Sequence, residues 1–268
     1  MDRLGNALRA ASGAPAPSSA SPSSAASLAP LEHALVLGAG GRLGSALLAE
    51  ALVAGRFASV RAWVAAPLVS TVRGLSPLSE ADFDRPGPLR ATTAFIVFER
   101  ERFSNGRDDA FVMPQAVALP ALASRLREGG VRRLVVVLPH ASSMLPQALA
   151  EGLATHDEAA VAALGFEHLL LLKPSQDLAV ARTGSLLERF TRWWLAQLRW
   201  MIPQREQPLR AVVLARLAVM LARVLPSAPS GTQVVPQSLL WQLVHDADGG
   251  EARSRAWLAA PAAARAPG

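Results

Sequence analysis

The chain has 268 residues, 51% of them hydrophobic and 18% charged, so its bulk is globular with room for one large core or two small ones. It contains no cysteine, which excludes disulfides, thiolate metal sites and a Cys nucleophile. The formal net charge of +6 rests on arginine, Lys173 being the lone lysine, and the arginines form no run, so nucleic acid is not an expected partner.

Residues 1–30 are dominated by Ala, Ser and Pro, which predicts a disordered arm with almost nothing apolar to bury. The arm lacks the compact apolar block of a signal peptide, although its Arg-bearing, Ser-rich composition leaves a transit peptide as an alternative. No uninterrupted apolar stretch reaches bilayer length, since the best candidate, Leu209 to Leu225, is broken by Arg210, Arg216 and Arg223. The expected location is cytoplasmic.

From Leu31 to Val244, short apolar runs alternate with helical segments, the pattern of a parallel sheet covered by helices. Ala34 to Leu37 reads as a buried strand, followed by a helix from Arg42 with Leu43, Leu47, Leu48 and Leu52 at helical spacing and Gly55 as its stop. Val60 to Val64 and Thr93 to Phe98 read as strands, Ala116 to Arg127 as a helix ended by Gly129-Gly130, and Arg133 to Leu138 as the clearest strand. Thr155-His-Asp-Glu158 is a capping-box sequence for a helix ending at Gly165, before the strand His168 to Leu172. Ser185 to Ile202 reads as a broad-faced helix carrying three tryptophans among arginines, and Leu209 to Leu225 as another helix. The end of the chain, 246–268, reads as a loose tail rich in Gly, Ala and Arg.

The segment Gly38-Ala-Gly-Gly-Arg-Leu-Gly44 follows a strand and opens a helix, the context in which a glycine pattern signals a dinucleotide. Backbone N–H groups at the positive end of a helix can receive a pyrophosphate, and glycines let the backbone approach it. The candidate cofactor-binding residues are Gly38, Gly40, Gly41, Arg42, Leu43 and Gly44. The alternative is a tight strand-to-helix turn that binds nothing. No acidic residue occurs between Glu50 and Glu80, so the carboxylate that would hold an NAD ribose is missing. Arg42, with Arg56, Arg61 and Arg73 behind it, points instead to the 2′-phosphate of NADP(H), unless these arginines simply face solvent.

With Asp109-Ala-Phe111, Leu164-Gly-Phe166, Lys173-Pro-Ser175 and Leu209 to Arg216, the glycine turn resembles the atypical short-chain dehydrogenases, more narrowly the Tat-interacting-protein-like NAD(P)-binding branch. The resemblance runs from Leu31 to Leu243, and only the glycine turn is individually specific. It implies an α/β fold, a Rossmann-type doubly wound parallel sheet, with a small, mostly helical C-terminal cap over about 185–245. It places the pyrophosphate glycines on Gly38, Gly41 and Gly44, and makes Lys173 the counterpart of a family arginine. It also implies a Ser, Tyr and Lys set for hydride transfer, and here the chain departs, for it contains no tyrosine. Ala150 and Ala154 fall at or near the Tyr and Lys positions, and Pro139 or His140 replaces the serine. Glu99-Arg-Glu101 stands where the family tends to place a small residue against the cofactor.

His140 and Ser142 remain the candidates for a displaced acid or base, because imidazole titrates near neutrality. A metal site at His156-Asp-Glu158 is not expected, since adjacent helix residues diverge and the cap already explains Thr155 and Glu158. The expectation is an NADP(H)-binding, catalytically degenerate protein acting as a sensor, scaffold or assembly factor with a protein partner. The alternatives are an oxidoreductase or epimerase with displaced acid–base groups, and an interaction module that has lost its nucleotide. The helix at 185–202 is expected to roof the cleft or to rest on a membrane surface.

Overall fold

The computed structural model describes residues 32–66, 71–99, 108–138, 157–174, 209–246 and 250–260. Seven strands form one sheet: β1 (Glu32–Leu37), β2 (Phe57–Val64), β3 (Leu75–Ser79), β4 (Thr93–Val97), β5 (Arg133–Val137), β6 (His168–Lys173) and β7 (Gly231–Pro236). Their order is β3-β2-β1-β4-β5-β6-β7, and every neighbouring pair is parallel. This is a Rossmann-type sheet. Its order reverses between β1 and β4, so the crevice lies beyond the carboxyl ends of those strands, where ligands bind in such folds.

The central strands are apolar on both sides because helices cover both faces. Ala34 and Val36 face one layer, where α1 (Arg42–Val53) brings Leu43, Leu47 and Leu48. Leu35 and Leu37 face the other, where α2 (Glu80–Asp84) brings Phe83 and α3 (Leu119–Glu128) brings Leu122 and Leu126. Residues 157–163 are helical and add Val161 to that second layer. The α1 stop at Gly55 has φ 65, a conformation glycine adopts without penalty. The segment expected to be helical from Ala116 opens with a 3₁₀ turn, and α3 proper starts at Leu119 with Pro120 in its first turn, where no N–H is needed.

Two strands and a short helix were not expected. β3 and β7 are the sheet's two edges, and both lack a continuous apolar run: β3 carries Pro77 and β7 buries only Gln233 and Val235. Behind β3, α2 is capped by Ser79 Oγ, which accepts from the Asp82 N–H at 3.1 Å.

The described C-terminal elements are not a cap. The helix expected over Leu209 to Leu225 is α4 (Ala211–Val224), which packs beside α1 in the layer over the sheet; Leu214, Leu217 and Leu221 share the apolar cluster of Ala34 and Val36. Its buried face is broad, and Ala215, Ala218 and Ala222 put small side chains on it. β7 and α5 (Gln237–Val244) likewise complete the sheet and its layer. The helix expected over 185–202 lies outside the described residues. Among the described residues no helix is long and apolar enough to cross a membrane.

Part of the expected loose tail is helical, and residues 247–249 and 261–268 lie outside the described residues. Residues Glu251–Ala259 form α6, whose Leu258 is buried in the main cluster and whose buried Ser254 donates to the Gly250 carbonyl at 2.7 Å. Arg223 pairs with Glu251, and Arg253 with Asp246 at 2.7 Å, so local ion pairs secure a helix that composition alone conceals. Ending the chain at Asp246 is expected to cost about 2 kcal/mol or more, since burying one leucine contributes about 1.5–3 kcal/mol. Urea unfolding measures this, and an unchanged midpoint would mean that α6 contributes no packing.

Candidate functional site

The glycine turn joins β1 to α1 at the crevice, as its sequence predicts, but its glycines serve different ends. A Cβ at Gly38 would stand 2.2 Å from the Val97 carbonyl oxygen on β4, and a Cβ at Gly44 would stand 1.8 Å from the carbonyl oxygen of Gly38. Both positions need glycine for the turn's own packing, with or without a ligand. Gly41, with φ 73, is the N-cap of α1 and faces outward from the turn. A Cβ there would lie 2.6 Å from a carboxylate oxygen of Glu99.

Glu99 follows β4, the strand beside β1, and its Oε2 accepts the Leu43 N–H at 2.9 Å. This is a first-turn donor of α1, one of those a pyrophosphate uses in a dinucleotide cradle. α1 has no acidic residue in its own first turn, so the Glu99 carboxylate is the negative charge set against its positive end. The open space left by the missing Gly41 side chain is thus taken by an internal anion. A dinucleotide pyrophosphate does not fit the cradle in this arrangement.

A second element covers the same crevice. Val60 N–H donates to Gly74 on the β3 side of β2, so the alternate residues Trp63 and Ala65 turn their backbone groups to the β1 side. Beyond the end of β1 those groups pair with residues 110–112: Ala65 N–H donates to the Ala110 carbonyl at 3.0 Å, and Val112 N–H to the Trp63 carbonyl at 3.2 Å. The chain then passes over the turn, where Pro114 Cδ is 3.1 Å from the Cβ position of Gly38 and Met113 Cε is 3.6 Å from that of Gly41. In the run Asp109-Ala-Phe111, the first two residues end a 3₁₀ turn and Phe111 bridges to Val64. Sequence reasoning missed this strip because the hydrogen bonds that hold it beside β2 run between backbone groups, although Phe111 and Val112 also pack against the apolar clusters.

Arg42 is the first residue of α1 and is exposed beside the cradle. The other arginines considered for a 2′-phosphate have different roles: Arg56 pairs with Glu32 at 2.8 Å, Arg61 donates to the Leu89 carbonyl at 3.0 Å, and Arg73 is exposed ahead of β3. Gly40 is buried within the turn. Lys173 ends β6 and binds Glu158 through both carboxylate oxygens, at 2.8 and 2.9 Å. Glu158 thus reaches the end of β6; the Thr155 of the expected capping box lies outside the described residues. His140, Ser142, Ala150, Ala154 and Glu101 also lie outside them.

No family model matches the chain, and no curated protein matches it. Solved structures are similar at low identity. A Burkholderia pseudomallei protein described as exported is 16% identical, with 76% of this chain and 98% of that one covered and a TM-score of 0.45. A Bacillus halodurans protein described as an NAD-dependent epimerase/dehydratase is 12% identical, with 79% and 99% covered and a TM-score of 0.47. Vestitone reductase from alfalfa is 13% identical, with 76% of this chain and 77% of that one covered and a TM-score of 0.41. The fold assignment rests on the parallel order and register of the sheet, to which similarities of this size add nothing.

Proposed function

We propose that this protein is a non-catalytic Rossmann-fold module, used as a scaffold or interaction protein, whose dinucleotide cradle is closed by its own Glu99. The observation that carries the reading is the Glu99 carboxylate on the Leu43 N–H, in the space that Gly41 leaves open. Residues 110–114 over the same crevice support it. The lack of any tyrosine supports the absence of short-chain-dehydrogenase chemistry, since a positioned acid or base contributes about 10²–10⁴-fold. Where the cradle is opened, NADP(H) is the nucleotide it favours, because Arg42 can pair with a 2′-phosphate and β2 runs into Ala65 and Ala66 rather than a carboxylate.

Titration with NADPH, read by energy transfer from the six tryptophans, tests this. Wild type should bind weakly, and Glu99→Ala should bind at least about tenfold more tightly, the scale of one lost hydrogen bond to a charged group. In that background, Arg42→Ala should narrow the preference for NADPH over NADH. Tight wild-type binding that Glu99→Ala leaves unchanged would restore the sensor reading, with a resident NADP(H). Turnover of an alcohol or ketone would establish an oxidoreductase instead.

A further inference from the structure

At the opposite ends of β1 and β2 from the glycine turn, His33, Ser59 and Arg61 stand on the face that carries α3. The 85–90 loop and Arg125 of α3 stand beside them around an open surface cavity of about 730 Å³. Four arginines line it, Arg61, Arg85, Arg90 and Arg125, against the one carboxylate of Asp82. That carboxylate is already engaged, by Arg85 at 3.2 Å and by the Ser79 hydroxyl at 2.8 Å.

The wall is built before any ligand arrives. Arg125 donates from Nε to the Phe83 carbonyl at 2.6 Å and from Nη2 to the Arg85 carbonyl at 2.5 Å, which ties the loop to α3. Arg61 Nη1 donates to the Leu89 carbonyl at 3.0 Å, which ties it to β2. The loop itself, Arg85-Pro-Gly-Pro-Leu-Arg90, is stiffened by two prolines. Arg90 has φ 50, and among the described residues it is the one non-glycine residue with positive φ. A side chain pays a penalty in that conformation, and such strained positions cluster at ligand clamps.

We propose that this cavity binds a small phosphate-bearing anion of the di- or triphosphate class. Its volume falls within the roughly 300–1,000 Å³ of small-molecule sites. Guanidinium groups suit phosphate oxygens because each can donate two parallel hydrogen bonds. The positive charge is crowded: burial pushes the Arg61 guanidinium below its usual range, Asp82 opposes that shift, and the like charge of Arg90 adds to it. An anion between these groups offsets their repulsion, and the tied, proline-stiffened loop lowers the ordering cost of binding.

Calorimetric titration of the full chain with inorganic pyrophosphate at low salt tests the proposal, with a thermal melt of each variant as a check of folding. Wild type should show saturable binding. Arg90→Gly should melt at or above wild type, because glycine accepts φ 50 freely, yet bind pyrophosphate at least tenfold more weakly. Arg61→Gln should weaken binding by a similar factor. Any of four results would overturn the proposal: no saturable heat in wild type, the same heat from sodium chloride at matched ionic strength, undiminished binding in both variants, or a loss confined to Arg42→Ala. The last would place the pyrophosphate at the glycine turn.

Discussion

Gly44→Ala should destabilise the protein by about 3 kcal/mol or more, the reverse of what the same change does elsewhere in a helix. Replacing an interior helical glycine with alanine ordinarily stabilises by roughly 0.5–1 kcal/mol, through lower backbone entropy in the unfolded chain. Here the added Cβ would stand 1.8 Å from the Gly38 carbonyl oxygen and 3.0 Å from the Ala39 Cα, all backbone atoms of the turn. Overpacking costs about 1–3 kcal/mol where side chains can yield, and a backbone oxygen held between β1 and α1 has no rotamer to move to. Gly55→Ala is the matching control: no atom lies within 4 Å of its Cβ position, so only the roughly 1–2 kcal/mol penalty of its φ of 65 remains. Urea denaturation of the two variants separates steric exclusion from backbone strain. Equal, small losses would mean that the turn can open, and that the glycine at 44 serves a ligand's approach rather than the fold.

The second large effect is expected from Glu32→Gln, far from the crevice. Glu32 opens β1, and its two carboxylate oxygens bind Arg56 at 2.8 Å and Arg133 at 2.7 Å, while Thr93 Oγ1 donates to it at 3.4 Å. The cluster fastens the amino ends of β1, β4 and β5, and the Arg133 side chain is only 10% exposed. Removing one partner of a buried pair costs about 3–5 kcal/mol, because the charge left behind has lost its water and its counter-ion. The lower end applies here, since the Arg56 side chain remains 26% exposed and solvent screens its share. Adding Arg133→Met should recover much of the loss, as an apolar replacement of a buried pair is often neutral. A loss below 1 kcal/mol for Glu32→Gln alone would show that the cluster is solvated.

What could be read along the chain was what neighbours in sequence determine. The apolar runs of β1, β4, β5 and β6 marked buried parallel strands, leucines at helical spacing marked α1, and Gly55 and Gly129 marked helix ends, because each depends on residues a few positions apart. The missing tyrosine was equally plain, and it bears on catalysis without any fold. The edge strands β3 and β7 were not legible, since an edge buries too little to require an apolar run. α6 was hidden for a similar reason, its docking resting on Leu258 and ion pairs rather than on a broad apolar stripe. The largest difference concerns the glycine turn. Its pattern was visible, but whether a phosphate or a side chain meets the first turn of α1 was decided 56 positions away, because placing β4 beside β1 brings Glu99 onto the Leu43 N–H. The same holds at the other end of the sheet: Arg61, Arg90 and Arg125 are scattered charges in the sequence, and only the packing of the 85–90 loop between β2 and α3 gathers them around one cavity.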